Sequence, residues 1–142
     1  MQRKITLLSL LLLLTVSLIA CGSNGIDDQP KSNDIVEIQL TEMFEYTERD
    51  PAEVEPPEHV TGFKVKVKNL AEYEIGIGMF DFEVFNKEGK KVEAYGYADS
   101  LGQTIDKEES VEGTIYFIIN KEDVSKVVYT DPELKETMQW DF

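Results

Sequence analysis

Thiol and imidazole chemistry are almost missing from this sequence: Cys21 is its only cysteine and His59 its only histidine. No internal disulfide can form, so the fold must stand on a hydrophobic core alone. Zinc sites built from several His and Cys are excluded by count. A Ser-His-Asp triad would have to use His59, and no Gly-x-Ser-x-Gly turn is present to offer a serine. His59 itself follows Pro56-Pro57-Glu58, in a connection that reads as exposed. Positive charge is also scarce, with 14 Lys and Arg against 28 Asp and Glu and a net charge of −14. Nucleic-acid binding needs clustered basic residues and is therefore disfavoured. Adhesion to anionic lipid headgroups by charge alone is disfavoured for the same reason. Beyond residue 19 there is no long apolar run, and no stretch makes a convincing helix.

What is there begins with a three-part N-terminus. Arg3 and Lys4 form a basic start, Ile5 to Ile19 is mostly apolar, and Ala20 is small. This is the layout of a secretory signal, and the apolar run is shorter than the ~20 residues a membrane-spanning helix needs. Cys21 follows directly. Leu18-Ile19-Ala20-Cys21 resembles the bacterial lipobox, in which the cysteine thiol takes a diacylglyceryl group as a thioether and a peptidase cuts before it. That resemblance implies a covalent diacylglyceryl lipid on Cys21 and no other cofactor. It also leaves no free thiol for a Cys-His dyad. Two acyl chains give durable attachment, since each buried methylene contributes ~0.8 kcal/mol. An uncleaved anchor and an ordinary signal peptide are the alternatives. Loss of residues 1–20 removes Arg3 and Lys4 but no acid, moving the balance from −14 to −16.

The division expected is a signal peptide helix over 1–20, a lipidated N-terminus and disordered tether over 21–34, and one domain over 35–142. The tether is small, polar and turn-forming, with an r.m.s. span of roughly 20 Å.

The domain reads as strands. Val36, Ile38 and Leu40 alternate with Glu37 and Gln39, and Met43, Phe44 and Tyr46 offer a continuation. Glu42 to Glu58 is acidic, broken by Pro51, Pro56 and Pro57, and predicted to be a long exposed connection. Phe63, Val65 and Val67 oppose Lys64, Lys66 and Lys68 in the cleanest alternation of the chain. A strand is expected over Ile77–Phe85 with Phe80, Phe82 and Val84 on one face. A hairpin turn follows at Asn86-Lys87-Glu88-Gly89-Lys90, with Gly89 at positive φ. Lys91–Tyr97 is expected to return as a strand, with Val92 and Ala94 facing inward. Asp99–Glu109 reads as polar connection. Val111–Ile119, Val124–Tyr129 and Leu134–Phe142 complete about seven strands, the last with Met138, Trp140 and Phe142 in the core. The pattern fits an all-β, immunoglobulin-like antiparallel β-sandwich.

From Val60 to Tyr129 the chain resembles a family of extracytoplasmic bacterial domains with an immunoglobulin-like, telokin-like sandwich, often found behind a lipobox in Gram-positive bacteria. The resemblance rests on Lys68-Asn69 ending an alternating strand and on Phe82-Glu83-Val84-Phe85 before the Lys87-Glu88-Gly89-Lys90 turn. It continues through Asp106 to Ser110 before Gly113-Thr114-Ile115-Tyr116-Phe117, and a last strand with Val127-Val128-Tyr129. Where the family has a Pro-Gly-type turn, this chain has Asp-Lys-Glu-Glu-Ser. The resemblance implies a fold and no catalytic residue.

Two acid groups are candidate oxygen ligands for calcium: Glu48, Asp50, Glu53 and Glu55, and Asp106, Glu108 and Glu109. Neither has EF-hand spacing, and a solvated acidic surface is the simpler reading. Tyr95, Tyr97, Tyr116 and Tyr129 either line a groove for a sugar or peptide or cover the sandwich edges. The function expected is a non-enzymatic binding module, lipid-anchored on the outer face of the bacterial cell membrane, with an envelope protein as partner. A calcium-responsive version is the alternative, and an extracytoplasmic hydrolase with paired carboxylates comes last.

Overall fold

The computed structural model describes residues 26–142. The signal sequence, Leu18, Ile19, Ala20 and Cys21 lie outside the described residues. Among the described residues there are nine strands: β1 (Lys31–Ser32), β2 (Val36–Glu45), β3 (Thr61–Asn69), β4 (Ile75–Gly78), β5 (Phe82–Asn86), β6 (Gly102–Ile105), β7 (Ser110–Phe117), β8 (Val124–Thr130) and β9 (Thr137–Asp141). They form a four-stranded sheet in the order β1-β2-β3-β7, a three-stranded sheet β5-β8-β9 and the pair β4-β6. All pairings are antiparallel.

The register of the large sheet follows from side-chain chemistry. Phe63, Val65 and Val67 on β3 stand in line with Leu40 and Ile38 on β2 and with Ile115, Gly113 and Val111 on β7. All three β3 residues are buried, while Lys64, Lys66 and Lys68 face out. A one-residue slip would expose the three apolar side chains, at about 1.5–3 kcal/mol each, and bury three ammonium groups. The facing sheet contributes Phe82, Val84, Val127, Tyr129, Met138 and Trp140 to the same core. Phe63 meets Phe117 and Phe142 there in edge-on ring contacts.

Several segments depart from the expected pattern. Ile77–Phe85 is not one strand: Met79–Asp81 forms a 3-10 turn between β4 and β5. Asp81 Oδ2 accepts a hydrogen bond from the Gly78 N–H at 2.8 Å. This local cap winds the chain and leaves Phe80 85% exposed, while Phe82 and Val84 stay buried. The Asn86–Lys90 hairpin turn is as expected, with Gly89 at φ +77° and Asn86 Oδ1 accepting from the Glu88 and Lys90 N–H groups. The return over 91–97 is not a strand. Lys91 makes one bridge to Phe85, then the chain crosses to the other sheet. There Ile118 N–H donates to Glu93 O, Tyr95 N–H to Tyr116 O and Leu101 N–H to Thr114 O, covering the outer edge of β7. Tyr95 is the buried residue of this crossing, and Val92 and Ala94 are half-buried. The polar stretch 99–109 contains β6, whose Ile105 is buried opposite Ile75.

The tether is also shorter than expected. Lys31–Ser32 pairs with Glu37–Ile38, and Ile26 packs against the core. Asn33 makes the bend, its Oδ1 accepting from Ile35 N–H and Val36 N–H at 2.8 Å each.

Candidate functional site

The acidic connection between β2 and β3 folds back over the outer face of the large sheet. Arg49 holds it: the guanidinium donates to Tyr46 O, Glu48 O, Pro57 O and Glu58 O and lies 5.7 Å from the Tyr95 ring centre. Beneath it lies a second small core of Val60, Tyr95 and Tyr116 with Phe44 and Tyr46 against them. The Tyr46 and Tyr116 rings are 4.7 Å apart. Gly62 sits under this layer, with no room for a methyl group beneath the Phe44 ring. Of the four tyrosines considered as groove residues, Tyr95 and Tyr116 are therefore core, Tyr129 is buried in the main core, and Tyr97 alone is exposed.

The calcium candidates do not converge. Asp50 Oδ1 accepts from Ala52 N–H, and Glu53 Oε2 accepts from Asp50 N–H at 3.0 Å and from the Tyr95 hydroxyl at 2.6 Å. Burial, then the hydrogen bond and charge of Glu53, push the Tyr95 phenol up to about 12. Among the described residues no three His, Cys, Asp or Glu are grouped to hold a metal ion. Glu108 takes a left-handed conformation in the turn before β7, where Glu109 N–H donates to Asp106 O. His59 lies 3.5 Å from Glu45 and 3.8 Å from Glu58 at the surface, with no serine or cysteine hydrogen-bonded to it among the described residues.

Where β1, β2 and the β8–β9 hairpin meet, the groups are more tightly built. Asp131 is 1% exposed. Its Oδ1 accepts from Glu133 N–H and Leu134 N–H, and its Oδ2 from the Asn33 side-chain amide at 3.0 Å. Burial opposes its ionisation, but those hydrogen bonds and Lys135 outweigh it and hold the carboxyl below its usual range. Asp81 shifts the other way, raised by burial and by the Asp131 charge against the pull of the Gly78 N–H. Tyr129, between them, is pushed well above the phenol range by burial and by the charges of Asp131 and Asp81. Beside this group lies a cavity of about 150 Å³ lined by Ile35, Tyr73, Ile75, Tyr129, Asp131 and Glu133 among others. Sequence reading considered Tyr129 only as a groove or edge residue and missed Asp131. The one available signal was an Asp-Pro-Glu turn between two strands.

At the sandwich edge the Lys31 ammonium stands 5.8 Å from the Trp140 ring centre. Trp140 is fully buried, and its indole N–H has no hydrogen-bond partner among the described residues.

Residues 26–138 match a family described as a domain of unknown function (DUF4352). The chain is similar to the uncharacterised lipoprotein YcdA of Bacillus subtilis, 24% identical over 91% of this chain and 39% of that protein. It thus spans about two-fifths of the relative's length. The crystal structure of YcdA superposes with a TM-score of 0.67 at 20% identity, over 80% of this chain and 38% of that one. The secreted Mycobacterium tuberculosis protein MPT63 gives 0.60 at 14% identity, covering 80% and 91% of the two chains. The Bacillus subtilis protein YjhA gives 0.63 at 12%, covering 78% and 93%. These likenesses bear out the all-β sandwich, and the family resemblance read from the sequence holds.

Proposed function

Because the chain belongs to the DUF4352 family, we propose a reading built on the junction between its N-terminal signal and its sandwich. The protein is a lipid-anchored module on the outer face of the bacterial membrane. It is non-enzymatic and acts by binding an envelope protein.

The observation that carries this reading is the place where the fold begins. Ile26 already packs on the core and Lys31 is in the sheet. Only residues 22–25 separate that contact from Cys21. At ~3.3–3.6 Å per residue, the Cys21-to-Ile26 stretch reaches no more than about 18 Å. A lipid on Cys21 would therefore hold the β1 side of the domain against the bilayer. With residues 1–20 lost the charge is −16, which would otherwise drive the domain away from anionic headgroups. The likeness to a lipoprotein, YcdA, supports the same address.

A Cys21→Ala variant of the full chain tests the anchor. Loss of lipid labelling and release from the membrane fraction are expected. Retention in that fraction with cleavage at the same bond would overturn the reading. Crosslinking in whole cells is expected to join the wild-type protein to an envelope protein.

A further inference from the structure

The cavity beside Asp131 has the composition of a cation site. Its lining charges, Glu74, Asp131 and Glu133, are all acidic, and two of its walls are tyrosine rings. Tyr73 stands at the mouth, half exposed, its hydroxyl donating to the Glu133 carboxylate at 2.8 and 2.9 Å from the two oxygens. Tyr129 lies deeper and is only 2% exposed. Its hydroxyl makes no hydrogen bond to any described residue, although the side chain lines the cavity. That oxygen is not itself enclosed: it is open to the cavity and free to accept a hydrogen bond from whatever enters. Asp131 keeps acceptor capacity too: a carboxylate offers about four lone-pair sites, and three are taken. A phenol oxygen and a carboxylate oxygen thus remain for a donor that enters between aromatic walls.

Size narrows the class. A volume of about 150 Å³ is far below the ~300–1,000 Å³ of drug-sized ligand pockets. Cavities of this volume admit a group the size of benzene. Ile35 and Ile75 supply apolar wall for a short hydrocarbon stem. Acidic lining, aromatic faces and an unpartnered hydroxyl together favour a cation that donates several hydrogen bonds.

The geometry points to a binding site for a primary alkylammonium group, carried by a free amine or by a lysine side chain, between Tyr73, Tyr129 and Asp131. The ammonium donates to Tyr129 and Asp131, and its stem lies along Ile35 and Ile75. The inference rests on the binding-module reading but not on the anchor.

The test is an NMR titration of the full chain in detergent micelles, with ring-labelled tyrosine. The probes are n-butylammonium chloride, n-butanol at the same concentrations, and Nα-acetyl-lysinamide. Saturable shifts of the Tyr73 and Tyr129 ring signals with n-butylammonium are expected, with n-butanol at least tenfold weaker. Saturation by Nα-acetyl-lysinamide as well assigns the site to a side chain, and saturation by n-butylammonium alone assigns it to free amines. Tyr129→Phe, which removes one hydrogen bond to a charged donor, should weaken n-butylammonium about tenfold. Should that variant fail to fold, Glu133→Gln on the exposed hairpin is expected to weaken it several-fold. The proposal is overturned by ring signals that do not saturate, by n-butanol binding as well as n-butylammonium, or by unchanged affinity in a folded variant. A Cys21→Ala chain that stays in the membrane would undo the anchor and leave this titration standing. A failed titration with a crosslinked partner would undo the cavity alone.

Discussion

Leu101 lies across Gly113. A methyl group on that glycine would come within 2.6 Å of Leu101 Cδ1, 3.1 Å of its Cβ and 3.4 Å of its Cα. Gly113 faces the core between Val111 and Ile115, in line with Val65. The missing side chain there leaves room for the segment that crosses from one sheet to the other. Since Leu101 also bonds Thr114 O and accepts from Met79 N–H, its backbone has little freedom to retreat. Gly113→Ala is expected to destabilise the domain by about 1–3 kcal/mol, the usual range for overpacking, measured by urea unfolding. A loss below 0.5 kcal/mol would mean that the crossing segment yields.

Arg49 is the only cation among the acids of the β2–β3 connection, and its hydrogen bonds all go to backbone carbonyls. A lysine has neither the planar fork nor the reach to satisfy them together. Arg49→Lys is expected to leave the sandwich folded while raising proteolytic cleavage and amide exchange within residues 48–58. Equal protection of that segment in both proteins would show that the aromatic layer below holds it without help.

Asp131 gives the acid side of the stability curve a definite sign. Its folded carboxyl sits below the ordinary value of 3.8. A group whose pKa is depressed contributes stability that is complete above its unfolded value and lost as pH falls through the folded one. Asp81, raised in the folded protein, works in the opposite sense. Asp131→Asn is expected to cost about 1–3 kcal/mol at neutral pH through weaker bonds to Glu133 and Leu134 N–H. It should also flatten the decline in stability below pH 4. Urea midpoints from pH 7 to pH 2 measure both effects, and parallel curves for the two proteins would contradict the assignment.

Calcium at millimolar concentration is expected to leave the melting temperature unchanged, because Glu53 is already engaged by Tyr95 and Asp50. A rise abolished by Glu48→Gln and Glu55→Gln would restore the calcium-responsive alternative.

Where side-chain alternation and local chemistry agreed, the sequence was readable. β3 is the clearest instance, since its lysines forbid a slip by one residue, and the Asn86–Gly89 turn needs only its own residues. Phe80 was misread because alternation continues through it, whereas the Asp81 cap on Gly78 breaks the strand there. Tyr95 and the 91–101 crossing take their places from Tyr116, Thr114 and Arg49, partners distant in sequence that no local window contains. β6 is polar on paper and becomes a strand because β4 pairs with it. The cavity escaped notice for the same reason: Asn33, Tyr73 and the Tyr129–Asp131 segment come from three separate stretches.

The outer edge of β2 is interrupted twice. The two residues of β1 cover it at Glu37 and Ile38, and a bulge in the pairing with β3, between Leu40 and Glu42, bends the strand beyond them. A long flat edge is a template on which a second chain can add strand to strand. Copies held in a plane meet far more often than copies free in solution, so that template would be most hazardous for a domain confined to a surface. A broken edge would let such a domain reach high surface density without its copies joining strand to strand.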